Sequence, residues 1–338
     1  MKKSTARFIG SIVAGTAIGL GLFALVANFV FSNNGSDVVP TSNPSPTLTR
    51  EGDTGKIKVV TSTQVWADIT EILGGGWVEV QVLVPDSQDP HSYEASARDQ
   101  LAVAEADLVI ANGGGYDQFM DQLVTSANSD AVFLKLVEGE HIHSGETEEN
   151  HQDQAHDHDP EANEHIWYDF ALTLKAAEQI VAAIVELRPE AFDATTAGYD
   201  FFTSELDNLE IRLEALREKA LGLGFIAPEG VANLMLLNAG FENMTPQGMA
   251  DAIEEEREVP LTALEEAKDL LKNKIAVLLV VNVSTQDSVS QALIEAANAG
   301  NRPVVRMGET AGAASPGEDL DYLDWMGLVL DQLQEAIY

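Results

Sequence analysis

Short apolar runs rich in β-branched residues alternate with stretches of helical spacing twice along this chain, and that alternation restricts the possible fold more than any other feature. In the first series Lys56-Ile57-Lys58-Val59-Val60-Thr61 reads as a strand and 65–73 as a helix stopped by Gly74-Gly75-Gly76. Residues 77–84 then read as a strand, 98–106 as a helix and 107–111 as a short buried strand. A helix ending near Ala127 and a strand at 132–134 close the series. Strands separated by helices lie parallel and are covered on both faces. The second series has strands at 223–227, 275–281 and 303–307 and helices at 231–238, 246–255, 261–272, 286–299 and 319–337. Pro260 stands at the start of one of these helices, where a missing N–H costs nothing.

Between the two series lies a different pattern. A helix is expected at 170–187, an interruption at Pro189, and a longer helix at 193–221 with Phe201, Leu206, Leu209, Leu213 and Leu216 on one stripe. Some 29 residues at 1.5 Å each make a rod of roughly 40 Å, long enough to run along two compact bodies. With 338 residues the chain exceeds the size at which a single core keeps growing. The expected fold is therefore α/β, with two lobes, each a mainly parallel sheet flanked by helices, joined by one long rigid helix. The expected limits are 56–190 for the first lobe, 191–221 for the linking helix and 222–338 for the second lobe.

What precedes the first strand is of another kind. Lys2, Lys3 and Arg7 lead into an uncharged stretch, 8–31, longer than the apolar part of a usual export signal and close to the roughly 20 residues that span a bilayer. Leu25-Val26-Ala27 puts a large residue where a cleavage site wants a small one. Residues 1–31 are thus expected to act as an uncleaved membrane anchor, with export and cleavage as the alternative, and 32–55, rich in Ser, Asn, Pro, Thr and Gly, as an extended tether. The folded part then lies outside the membrane.

A formal charge of −36 argues against nucleic acid as a partner and makes cations the natural guests. The chain has no cysteine, which removes disulfides, thiolate metal sites, cysteine nucleophiles and lipid attachment through sulfur. Any metal has to be held by imidazole and carboxylate. Five of the seven histidines, His141, His143, His151, His156 and His158, fall in 138–164, which also carries ten acidic residues and no Lys or Arg. That stretch reads as a mobile loop that gathers metal without fixing a geometry; a disordered acidic insertion with incidental histidines is the plainer alternative.

The other two histidines are placed differently. His91 follows Pro90 in the loop after the second strand, and His165 stands just before the helix at 170–187. In parallel sheets ligands sit beyond the carboxyl ends of strands, where His91 falls. Glu229 and Glu309 also lie just past strand ends, in the second series. Two imidazoles and two carboxylates suit a divalent ion such as zinc or manganese and suit copper(I) poorly. Any one of them alone would read as an ordinary surface or satisfied polar residue, and only their joint placement makes a site. Gly113-Gly114-Gly115 lacks a nucleotide fingerprint and reads as a tight turn.

The segments Asp89-Pro90-His91-Ser92-Tyr93-Glu94, Ala106-Asp107-Leu108-Val109-Ile110-Ala111-Asn112-Gly113 and His165-Ile166-Trp167-Tyr168-Asp169 resemble the signature blocks of the zinc/manganese solute-binding proteins of ABC transporters, the ZnuA/TroA-like group. The resemblance covers 56–338. It implies two lobes on a rigid helix, a metal between them, and delivery to a membrane permease with its ATPase by a monomeric, non-enzymatic protein. His91 and His165 match the family's two first-lobe histidines. Pro228-Glu229-Gly230 resembles the glutamate version of the third ligand, and Glu309 is the nearest match to a fourth position where Asp is usual. Members tethered through a lipidated cysteine have one where this chain has none, which gives the tethering role to 8–31. The ligand set leans to manganese and the histidine-rich stretch to zinc; affinity order places zinc ahead. Two other readings compete. A surface adhesin or metal buffer would share fold and site, and neighbouring permease and ATPase genes would separate it. A metallohydrolase would need an open metal position and a base, and no His-Glu-x-x-His helix is present.

Overall fold

Parallel pairing follows from the crossover helices, and it is what the chain shows in both halves. The computed structural model describes residues 55–86, 88–137, 163–254, 257–285, 287–317 and 320–338, all within one compact unit, Thr54–Tyr338. The expected anchor and tether, 1–55, lie outside the described residues but for Gly55, and so do the five histidines of the acidic stretch. Among the described residues no helix is long and apolar enough to cross a membrane.

The first sheet contains β1 (Ile57–Thr61), β2 (Val78–Val82), β3 (Leu108–Gly113) and β4 (Val132–Val137) in the order β2-β1-β3-β4, every pair parallel. The helices α1 (Gln64–Gly74), α2 (Ala97–Glu105) and α3 (Phe119–Ala127) connect these strands. The second sheet repeats the order with β5 (Gly224–Ile226), β6 (Glu242–Asn243), β7 (Ala276–Asn282) and β8 (Val304–Met307) as β6-β5-β7-β8, again all parallel. Between the sheets run α4 (Phe170–Leu187) and the 29-residue α5 (Phe192–Ala220). The second half adds α6 (Asn233–Asn238), α7 (Gln247–Glu254), α8 (Leu261–Lys272), α9 (Ser288–Gly300), the short α10 (Ala311–Ala314) and α11 (Tyr322–Ile337).

Alternate residues of each strand serve different cores, because side chains on a strand point to opposite faces. Val59, Leu108 and Ile110 join one cluster with Trp66, Ile180 and Phe202, while Val60, Val109 and Ala111 join Val103, Met120 and Leu123 on the far face. In the second sheet Leu278 and Val280 belong to the same large cluster as α5 and α11, and Leu279 and Val281 pack under α7, α8 and α9. A single apolar core thus passes from one sheet to the other around α5, which fixes the two strand-end rims relative to each other.

Two details differ from the sequence reading. Phe201 is 54% exposed and its neighbour Phe202 is fully buried in the stripe with Leu206, Leu209, Leu213 and Leu216. Phe202 stands four residues before Leu206 and Phe201 five, so the three- and four-residue steps themselves belong to Phe202, whose ring packs 6.1 Å from that of Tyr322. The two-residue β6 and the four-residue α10 are too short to carry a periodic signal.

Candidate metal centre

The order β2-β1-β3-β4 puts a switch point between β1 and β3, and the second sheet has its own between β5 and β7; crevices open at the carboxyl ends there. His91 sits in a single 3-10 turn, Pro90–Ser92, whose start is fixed by Asp89: its carboxylate accepts the His91 backbone N–H at 2.9 Å. Pro90 is buried and supplies the fixed φ, so the imidazole is the part left free, with its side chain 40% exposed. The ring packs edge-on against Tyr116, centroids 4.9 Å apart.

His165 is buried and aimed. Its backbone N–H and Nδ1 both meet Asn163 Oδ1, at 2.8 and 3.0 Å, while Asn163 Nδ2 donates to the Gly230 carbonyl at 2.8 Å. That second bond orients the amide, so Nδ1 carries the donated hydrogen and Nε2 is the atom turned to the site. Nε2 lies 3.1 Å from Glu309 Oε2 without an aligned hydrogen-bond partner. Burial pulls the imidazole pKa down, but Glu309, with Glu164 and Glu229 beyond it, more than reverses this and leaves it raised. Burial likewise pushes Glu309 up, and His165, His91 and the Tyr116 hydroxyl outweigh it, so the carboxyl is held below its ordinary value.

Tyr116 owes its position to the glycine triplet. Gly113, Gly114 and Gly115 all adopt positive φ, and a side chain on Gly113 would collide with the Val137 carbonyl. Buried Asp117 accepts the N–H groups of Asn112 and Gly113 at 2.7 and 2.9 Å and closes the turn. Tyr116 then donates its hydroxyl to Glu309 Oε2 at 3.1 Å across the two halves of the chain. Burial and the Glu309 charge push its pKa well above the ordinary value, so it remains a donor.

In the second half, Glu229 follows β5 and Glu309 follows β8. Glu229 Oε2 accepts from Asn282 Nδ2 at 2.7 Å and Thr285 Oγ1 at 3.0 Å; Glu309 Oε1 accepts from the same Asn282 Nδ2 at 3.2 Å. Burial raises the Glu229 pKa, the two donors oppose this, and Glu309 adds to it.

Of the four residues singled out in the sequence, His91 and His165 therefore come together, with ring centroids 6.3 Å apart, and Glu309 meets His165 directly. Glu229 joins them through Asn282. Among the described residues the one set of three ligand atoms within 4.8 Å of one another is His91, His165 and Glu164. Glu164 Oε1 is 3.8 Å from a ring nitrogen of each histidine. The sequence reading left Glu164 among the acids of the preceding stretch, although its place next to His165 was a usable signal. Asn163, Tyr116 and Asn282 gave none, being neutral residues whose partners are distant in sequence. Two imidazoles with carboxylates on both sides form a donor set for a divalent ion of intermediate softness.

Two parallel sheets on a common helix, with imidazole and carboxylate donors facing each other across the strand-end rims, define a two-lobed ligand-binding protein with an N,O donor set. Residues 59–336 match the family described as zinc-uptake complex component A, periplasmic, and the chain belongs to that family. It is 22% identical over 328 residues to the high-affinity zinc uptake system protein ZnuA of Bacillus subtilis, covering 94% of this chain and 97% of that one. It is 29% identical over 169 residues to the manganese ABC transporter substrate-binding lipoprotein PsaA of Streptococcus pneumoniae, a match over 46% of this chain and only about half (49%) of that relative's length. The periplasmic zinc binding protein TroA from Treponema pallidum has the same fold, with a TM-score of 0.64 at 20% identity over 84% of this chain and 99% of that one.

Proposed function

We propose that this protein is the extracytoplasmic solute-binding component of an ABC importer, which captures a divalent transition metal, zinc ahead of manganese, and delivers it to a permease driven by an ATPase. In this reading the ion is cargo, no reaction is catalysed, and the protein works as a monomer. The ligands are His91 and His165 from the first half of the chain and Glu229 and Glu309 from the second, with Glu164 close enough to join or to hand the ion in. His141, His143, His151, His156 and His158 serve as an auxiliary capture stretch, and 8–31 as the membrane tether.

The observation that carries the reading is His165. A buried ring nitrogen with no aligned partner, its other nitrogen committed to Asn163, faces a buried carboxylate from the opposite half. Such a pair is costly to bury without further bonding, and an ion that takes Nε2 and the carboxylate as ligands supplies it. Metal content and competition affinity of the purified protein test this. Wild type is expected to hold one tight equivalent of zinc, and His91→Ala and His165→Ala are each expected to weaken it by more than the roughly 10–100-fold typical of outer-shell changes. Unchanged affinity in both variants would defeat the assignment.

A further inference from the structure

Asn282 ends β7, the inner strand beside β5, and is buried at the switch point of the second sheet. Its amide has one orientation. Oδ1 accepts the Ser284 backbone N–H at 3.0 Å, so Nδ2 faces the acids and donates to both, at 2.7 Å to Glu229 Oε2 and 3.2 Å to Glu309 Oε1. Thr285 Oγ1 donates to the same Glu229 Oε2 at 3.0 Å. That oxygen receives two hydrogen bonds, which uses its lone-pair directions. Among the described residues nothing donates to Glu229 Oε1. On Glu309, Oε1 is held by Asn282, while Oε2, the oxygen turned to His165, accepts the Tyr116 hydroxyl at 3.1 Å.

We propose that Asn282, assisted by Thr285, is a positioning residue that leaves Glu229 a single oxygen for the ion, and with Tyr116 fixes the Glu309 carboxylate, and thereby biases the site towards zinc and against manganese. The inference rests on the ligand assignment above. Two imidazole nitrogens and two single carboxylate oxygens make a four-donor set, which suits tetrahedral zinc. Manganese favours octahedral, oxygen-rich surroundings and gains from the second oxygen of a carboxylate. Here Glu229 Oε2 is already engaged twice, so bidentate binding by Glu229 would displace at least one of these bonds and leave the Asn282 amide N–H or the Thr285 hydroxyl without its acceptor. Orientation of ligands by their hydrogen-bond partners is a known lever on metal sites; a neutral amide does it here without adding charge to an acidic cluster.

The test uses the full chain. Zinc and manganese dissociation constants are measured by chelator competition for wild type, Asn282→Ala and Thr285→Val, together with the coordination number of each bound metal by X-ray absorption. Asn282→Ala is expected to lower the zinc-to-manganese affinity ratio about tenfold and to add oxygen to the manganese shell, with Thr285→Val moving the ratio the same way by less. Thr285 is only half-buried, so its variant keeps the test open should Asn282→Ala fold poorly. A ratio within about twofold of wild type in both variants overturns the proposal, even if both affinities fall together, since that is what a merely structural role produces. Loss of binding in His91→Ala and His165→Ala with an unchanged ratio in Asn282→Ala overturns this inference alone. Unchanged binding in the histidine variants overturns the ligand assignment and this inference with it.

Discussion

At His165 two requirements compete for one nitrogen. Without an ion, the surrounding acids favour the imidazolium, and the ring's pKa is raised above its ordinary 6.5. In the proposed site an ion requires Nε2 to be neutral, so binding would release a proton. Zinc affinity is therefore expected to fall as pH is lowered, with the fall beginning above pH 6.5, where an isolated histidine would still be neutral. The metal-free protein should show the opposite trend on that side. Stability from the raised histidine is complete below 6.5 and is lost as pH rises through its folded value. Stability from the lowered Glu309 is present above its usual 4.5 and is lost as pH falls through its folded value. The pair thus contributes most between those limits. Thermal melts across pH with chelator present, compared with Glu309→Gln, check this: the variant should lack the maximum, and identical profiles would show that the pair is not coupled. At this scale the two histidines that meet, His91 and His165, stood out in the sequence because Pro90 precedes one and a helix follows the other. The residues that aim them did not. Asn163, Tyr116 and Asn282 become visible only when chain segments separated by 67, 193 and 53 positions meet.

The long helix α5 holds the halves together by sharing one apolar cluster with α1 of the first half and α11 of the second. Gly198 is the point of contact with α1: a Cβ there would lie 2.5 Å from the Ile72 carbonyl oxygen and 2.7 Å from that of Leu73. Those are backbone atoms and cannot turn aside. Gly198→Ala gains about 1 kcal/mol of helix propensity but forces the two helices apart, at a cost of about 1–3 kcal/mol. A net loss is expected, read as a lower urea midpoint; a raised midpoint would show that α1 yields freely. The periodic signal predicted α4, α5 and α8 to within a residue or so, because each is long and one-sided. It missed β6 and α10, which are too short to carry a period, and Phe201 was placed in the stripe although the four-residue step to Leu206 belongs to Phe202.

For the whole molecule, the proposed ligand set, drawn from both sheets, has the consequence that bound metal would link them. An ion that binds only the folded form stabilises it by mass action, by about 2.7 kcal/mol at a free concentration a hundred times its dissociation constant. The melting temperature is expected to rise several degrees with zinc and to stay put in a His91→Ala/His165→Ala double variant, as scanning calorimetry can show. An equal rise in the double variant would place the stabilising ion elsewhere on this acidic surface. The amino-acid sequence by itself determined the kind of fold, since alternating strands and helices have to pair in parallel, and it narrowed the chemistry, since a chain without cysteine has no thiolate and leaves imidazole and carboxylate as the donors that suit a divalent ion of intermediate softness. Tertiary structure alone decided which donors meet. Glu164 comes within reach of both histidines, Glu229 reaches the site through Asn282, and Glu309 lies against His165 because one continuous core around α5 sets the two strand-end rims face to face. No local pattern encodes such a distance, because it depends on the packing of elements from opposite ends of the chain.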